Sequence, residues 1–409
     1  MAPGKTDKSV QQEQLKNIIR KLHDGARVED LKKEFSGIVQ NTTPEEIAEM
    51  ENALIREGFP PEEIQRLCDV HVQVFEDSLR KVKGAGKIPG HPVYTMTEEN
   101  REARRISRRL LKAARKVRKS GGNVKDQNRF TRLLHRLREI EKHYQRKENQ
   151  LFPMLENRGF TGPTKVMWGK HDEIRDRFRR LMELTDREAW GELPAASRSL
   201  AGAIKKMIFL EEKILFPTAL RKLREQEWAR IREGEGEIGF AWITPGSLWE
   251  AGLRGRASRQ NQFAAKEEQM TQDKMDKIKL SRGELTAKQV NLLLKNLPVD
   301  ITFVDENDRV CYYSDTRERI FVRSPGIIGR EVQNCHPPKS VHIVNEIVES
   351  FKKKEKKSAE FWIQMDGKFI HIRYFPLYDE QGHYRGVIEV SQEVSGIREL
   401  KGEKRLLDR

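Results

Sequence analysis

HYQRKENQLFPMLE (residues 143–156) and MIFLEEKILFPTAL (207–220) are near repeats of one another. Each carries a helical apolar pattern, adjacent charged residues and then Leu-Phe-Pro. In the first stretch Leu137, Tyr144, Leu151 and Leu155 form a stripe. Glu148 falls inside it, where the period asks for leucine, and His143 lies at its flank. In the second, Ile204, Met207, Ile214 and Thr218 line up with Glu211 among them. Two further helical patterns behave alike. His171 sits within the stripe Met167, Ile174, Phe178, Leu181, and Glu99 precedes Ala103, Ile106, Leu110, Ala113 and Val117 by a turn. An isolated carboxylate inside a protein costs several kcal/mol unless it is paired or bound to metal. Two readings therefore stay open on spacing alone. Acids and imidazoles converging in a bundle core build non-haem iron or manganese sites. Alternatively, each acid pairs with a neighbouring Lys or Arg, or reaches the rim.

The four patterns run from Thr95 to Ser120, ahead of Gly121-Gly122, and over about 125–156, 164–185 and 196–226. Short connections join them, so residues 90–226 read as an antiparallel four-helix bundle. Residues 9–83 read as a separate all-α domain, with NTTPEEIAEMENALIREGF showing a Thr cap, an early proline and a terminal glycine. Within it Cys68 and His71 lie three apart, a spacing better explained by packing than by metal. GAGKIPGHP joins that domain to the bundle. Residues 227–284 form a packing segment, EIGFAWITPGSLWEAGL, followed by a charged stretch at 255–280 that reads as a helical linker. GEGEIG at 234–239 is no dinucleotide fingerprint, because acids fill it and no strand precedes it.

From 285 to 400 the period changes. DITFVDENDRVCYYSD reads as two strands around a turn, and AEFWIQMDGKFIHIRYFPLYDEQGHYRGVIEVSQEV as three. SVHIVNEIVESFKKK between them is helical, with Ser340 at its start. The chain is thus multidomain, all-α and then α+β with an antiparallel sheet.

The 409 residues are 36% hydrophobic and 34% charged, with a net charge of +15. Ten of the twenty residues 101–120 are Lys or Arg, which reads as a solvated outer face with acids interspersed. No recognised nucleic-acid motif accompanies the charge. The three cysteines are widely spaced, as in a reducing cytoplasm, and no run is apolar enough for a membrane helix. Kinase, nucleotide and Ser-His-Asp motifs are lacking, so the expectation is a sensor or binding protein more than an enzyme.

HYQRKENQLFP and EEKILFP resemble the His-x-x-x-Glu(-Glu)…Leu-Phe-Pro signature of hemerythrin-like (HHE cation-binding) domains. GPTKVMWGKHDEIR resembles the histidine-bearing third helix of one branch of that family, which has an N-terminal helical domain of unknown function and a C-terminal PAS domain. LPVDITFVDENDRVCYYSD, GREVQNCHPPKSVHIV and the strands that follow resemble that PAS domain, and SQEVSGIREL resembles its connector. The resemblance implies an iron site with ligands His143, His171 and Glu148, with Glu211 or Glu212. Glu99 is added by its place in the stripe. The sequence departs from the family pattern at Tyr94, Lys147 and Met207, where histidine, glutamate and histidine are expected; Tyr94 can bind ferric iron and nearby His91 can substitute, which leaves a site with fewer ligands, di-iron or mononuclear, or no metal at all. In the PAS portion Cys335, His336 and His342 are candidate ligands for haem or metal. The competing account is a Pro337-Pro338 turn and a Ser340 cap.

The resemblance implies a cytoplasmic sensor of dioxygen, nitric oxide or redox state that relays through PAS, a homodimerising module, to a separate signalling partner. The other readings are iron handling, iron-site repair or oxidative-stress chemistry, and a metal-free interaction scaffold.

Overall fold

The computed structural model describes residues 88–249 and 277–403, apart from 317–318 and 366, and three isolated positions near the N-terminus. The expected helical domain at 9–83, with Cys68 and His71, lies outside them, as does most of the charged stretch at 255–280. The chain divides into two compact units.

In the first unit α1 spans Pro92–Lys119. It starts a turn earlier than its sequence pattern indicates, because proline fits the first helical position and His91 caps the end, its Nδ1 accepting from Val93 N at 3.1 Å. α1 buries Ala103, Ile106, Leu110, Ala113 and Val117 and leaves most of its basic residues exposed. Fully burying a leucine or isoleucine contributes roughly 1.5–3 kcal/mol, so this stripe holds a very polar helix in place.

The second helix of the bundle is segmented into α2 (Val124–Arg138), α3 (Ile140–Arg146), a π-helical turn (Lys147–Leu151) and α4 (Phe152–Glu156). α5 spans Gly162–Asp186. The fourth repeats the second: α6 (Leu193–Leu210), a π turn (Glu211–Leu215) and α7 (Phe216–Lys222). Proline explains both turns. Pro153 and Pro217 have no N–H for the ordinary bond and crowd the carbonyl four residues back. The helix opens by one residue just before them: Phe152 N–H reaches Lys147 O and Phe216 N–H reaches Glu211 O, each five residues back. α1 packs on α2 and α6, and α5 on α6, around one apolar core.

The expected continuation of the fourth helix to 226 is not observed. Leu223 and Arg224 turn extended, and a separate helix, α8 (Glu225–Ile238), packs Trp228 and Ile231 into the bundle core. The segment after 227 is therefore part of the bundle unit. Gly239, at φ +88°, ends α8, which is what GEGEIG encodes.

The described residues of the second unit begin with a hairpin, β1 (Lys277–Lys279) and β2 (Glu284–Thr286), where the sequence indicates the end of a helical linker. α9 (Ala287–Asn296) follows, with Thr286 and Gln289 in a reciprocal capping box. β3 (Asp300–Asp305) and β4 (Val310–Tyr313) precede α10 (Val341–Lys352). β5 (Ala359–Met365), β6 (Lys368–Tyr378) and β7 (Tyr384–Glu393) complete the sheet, and α11 (Ser395–Glu399) follows. The five strands are ordered β4-β3-β7-β6-β5, all antiparallel. Val304, Val310, Ile327, Ile347, Phe351 and Val387 form the core. β7 approaches β3 so closely at Gly386, φ +128°, that an added Cβ would stand 2.1 Å from Val304 O.

Gly386→Ala is therefore expected to destabilise this unit by roughly 2–4 kcal/mol, through clash and backbone strain together. Urea unfolding followed at Trp362 of β5 measures it, and an unchanged midpoint would contradict the close approach.

Candidate functional site

The segmented second helix puts its polar residues inward. The break at Glu139 and the π turn each shift the phase of a 3.6-residue helix, so the flank position read for His143 from an unbroken stripe is corrected: the ring is fully buried. The π turn also lets Lys147 and Glu148, neighbours in sequence, be buried together. Its counterpart buries Glu211, while α5 contributes His171 and α1 contributes Glu99 and Asn100.

These side chains meet in one hydrogen-bonded cluster. Lys147 Nζ bonds Glu211 Oε1 and lies 2.8 Å from His171 Nε2, with the Tyr144 ring face 4.6 Å away. His171 Nδ1 is 2.6 Å from Glu148 Oε1, and the ring stacks on Tyr144 at 4.2 Å. Arg175 holds the other Glu148 oxygen at 3.0 Å. His143 stands between two carboxylates, Nδ1 2.8 Å from Glu99 Oε2 and Nε2 3.1 Å from Glu211 Oε2. Asn100 donates to Glu211 Oε2 at 2.7 Å. Arg146, fully buried, bonds Glu99 and donates to Glu235 Oε1 at 2.9 Å, with the Phe240 ring 4.8 Å from its guanidinium. Ala241 N–H donates to the second oxygen of Glu99 at 2.7 Å.

The protonation pattern follows from donors and acceptors. Burial, and then Lys147, push the His171 imidazole well below its ordinary range, so it is neutral. The neutral ring donates from Nδ1 to Glu148 and accepts at Nε2 from the Lys147 ammonium. Burial lowers Lys147 too, with Glu211 opposing. Burial raises the Glu211 carboxyl, but Lys147 and His143 more than reverse that and hold it below the usual carboxylate range. Glu99 is held low in the same way by Arg146 and His143 against burial. Both nitrogens of His143 face these carboxylates. Among the buried acids, Glu99 and Glu235 thus share Arg146, Glu211 pairs with Lys147 and Glu148 with Arg175, while burial pushes the Glu235 carboxyl up against the pull of Arg146.

The other candidate ligands lie elsewhere. His91 is a helix cap, lying against Trp228 (4.7 Å) and Trp249 (4.9 Å), and burial lowers its pKa to about 4. Tyr94 is half-buried, and Glu212 pairs with Arg104 at 2.8 Å. In the second unit Cys335 and His336 are half-buried after a 3-10 turn, whereas His342 is exposed on α10. Among the described residues no three His, Cys, Asp or Glu side chains are grouped to hold a metal ion.

The cluster itself does not fit a metal in this arrangement. The lone pair of His171 Nε2 faces an ammonium, both His143 nitrogens face carboxylates, and both Glu211 oxygens accept hydrogen bonds. Sequence reasoning missed Arg146, Lys147 and Arg175 as inward cations, and Asn100 and Glu235 as partners. The signal for Glu235 was an acid on the otherwise apolar face of Trp228, Ile231 and Ile238.

Three family models match the chain: a family of unknown function (DUF438) over 15–81, the hemerythrin HHE cation binding domain over 91–219, and a PAS domain over 290–395. No curated protein matches it. Among solved structures, a C-terminal domain from Streptococcus mutans is 33% identical, covering 31% of this chain and 98% of that one, with a TM-score of 0.30. A PAS domain from Colwellia psychrerythraea is 18% identical, covering 27% and 97%, at 0.22. A sensory box sensor histidine kinase from Vibrio cholerae is 13% identical, covering 26% and 90%, at 0.21.

Glu211→Gln leaves the buried Lys147 without its counter-charge, and should cost about 3–5 kcal/mol in the unfolding of the bundle. The pKa of His171 is lower folded than unfolded, so the unfolded chain binds the extra proton first. Stability from its neutral form is present above about pH 6.5 and is lost as the pH falls below that value. Urea midpoints should therefore fall between about pH 7.5 and 5.5. His171→Gln, which keeps one donor and one acceptor, should flatten that slope; an equal slope in the variant would assign it to other groups.

Proposed function

Because the chain is a hemerythrin-like (HHE cation-binding) domain protein with an N-terminal domain of unknown function and a C-terminal PAS domain, we propose that it is a sensory protein. In this reading the bundle is the input element and its buried charged cluster is the part that switches. One observation carries the reading. The segment by which the chain leaves the bundle is tied to that cluster, through Glu235 to Arg146 and through Ala241 N–H to Glu99. A change in the pairing of Glu99 or Arg146 therefore alters the hold on residues 235–242. A conformational response needs such a difference in contacts between two states. The PAS portion is the relay, and a separate signalling protein is the listener. Among the described residues no helix is long and apolar enough to cross a membrane.

Hydrogen exchange on the full chain tests the coupling. Glu99→Gln keeps the size of the side chain but removes its charge, and should speed exchange across 239–249 relative to α2, which lies outside the exit segment. Unaltered exchange there would sink the proposal that the exit segment reads the cluster.

A second reading takes the input to be non-haem iron responding to dioxygen, nitric oxide or redox state. It is supported by the convergence of His143, His171, Glu148, Glu211 and Glu99 in a domain whose family is described as cation binding. It requires Lys147 to leave its present contacts. Elemental analysis of anaerobically purified protein, with its absorption spectrum before and after nitric oxide, decides it. Bound iron with a spectral change supports this reading, and metal-free protein with no change removes it.

A further inference from the structure

The ammonium of Lys147 is surrounded by groups that elsewhere take metal ions. His171 Nε2 offers its lone pair from 2.8 Å, Glu211 offers a carboxylate oxygen, and a second imidazole, His143, stands 3.1 Å from the other oxygen of that carboxylate. The imidazole lone pair facing Lys147 is set by the partner on the far side of the ring. Glu148 accepts from Nδ1 at 2.6 Å, which fixes Nε2 as the free nitrogen. A carboxylate behind a histidine is the support commonly found behind metal-binding imidazoles. Here the cation in front of it is carried by the chain itself.

We infer that Lys147 is a built-in cation that occupies the metal position of the bundle, so that the wild-type site excludes divalent ions while keeping the charge balance that an ion would supply. The π turn makes this substitution feasible, because it buries position 147 alongside Glu148. An ammonium is a compact point charge with three donors. Two are used on Glu211 and His171, and the charge also lies over the Tyr144 ring. Arg146 cannot perform this task, since its guanidinium is committed to Glu99 and Glu235. A divalent ion entering with Lys147 in place would meet a positive charge at hydrogen-bond distance from its own ligands. Removing the ammonium frees His171 Nε2 and Glu211 Oε1 together. Glutamate at 147 would add a third donor, giving a mixed nitrogen and oxygen set suited to Fe2+, Mn2+ or Zn2+. The inference does not depend on a sensory role, because a lysine-filled cluster can switch or merely hold the bundle together.

The test uses the full chain. Wild type, Lys147→Glu, Lys147→Met and the double variant Lys147→Glu/His171→Ala are each equilibrated anaerobically with Fe2+, Mn2+ or Zn2+ and passed over a desalting column. Retained metal is measured by mass spectrometry, and circular dichroism checks folding. Wild type should retain no ion, Lys147→Glu should retain a stoichiometric amount, Lys147→Met should retain less, and the double variant should lose it. Folded Lys147 variants that bind nothing would overturn the inference. So would wild-type protein that holds a stoichiometric ion which His171→Ala removes. If the Lys147 variants fail to fold, thermal melts of wild type decide: an ion that binds the native site raises the melting temperature, and the inference requires no rise with any of the three.

Discussion

A charged amine in the middle of a helix bundle is the constraint around which the first unit is arranged. Water is excluded from Lys147, so its charge has to be answered by a neighbour that is itself taken out of water. Glu211 answers it, and Glu211 in turn engages His143 and Asn100. His143 engages Glu99, Glu99 engages Arg146, and Arg146 engages Glu235 on α8. Each group is tolerated because the next is present. The sequence of pairings crosses the bundle from α5 to α8 and draws in residues that no single helix pattern would group. Such a network contributes modest net stability compared with an apolar core of equal volume, yet it is costly to break at any point. It also fixes side-chain positions tightly, since each partner has one charge sign and few acceptable geometries.

Much of the bundle was legible because its apolar stripes obey a plain 3.6-residue period. Leu137, Tyr144, Leu151, Leu155 and their counterparts on the other helices are buried as their spacing indicates. The inward acids Glu99, Glu148 and Glu211 were legible for the same reason, as polar residues in apolar positions. The cations were not, since Arg146 and Lys147 lie in a run of charged residues that an unbroken helix would spread round to solvent. The π turn buries Lys147 with Glu148, and a π turn has no strong sequence signature apart from the proline after it. His91 and Tyr94 were drawn toward the site by comparison with a family pattern, whereas local backbone chemistry makes His91 a cap. Glu235 was missed because residues after 226 read as a packing segment and not as a helix, and the two-residue break at Leu223 and Arg224 carries neither glycine nor proline.

The sheet of the second unit was easier, since its strands are bounded by turn residues and by changes of period. β5, β6 and β7 fall within the stretch that reads as three strands, with Gly367, at φ +77°, before β6 and the Asp379–Gly382 turn before β7. Side-chain roles were less legible there. Cys335, His336 and His342 are close in sequence, but a 3-10 turn and the start of α10 leave the last exposed while the first two are half-buried. Proximity along a chain does not indicate a shared site when a turn intervenes.

The two Leu-Phe-Pro stretches carry a consequence for how the bundle can rearrange. A π turn is one surplus residue, and in an ordinary helix that surplus can travel, handed along as successive hydrogen bonds change partner. Pro153 and Pro217 offer no N–H to receive it. The surplus is thus barred from moving toward α4 and α7, and can be relieved only on the side of α3 and α6. Each proline acts as a ratchet pawl: the helix beyond it keeps its facing, and motion in the buried cluster is expressed in one direction along both helices.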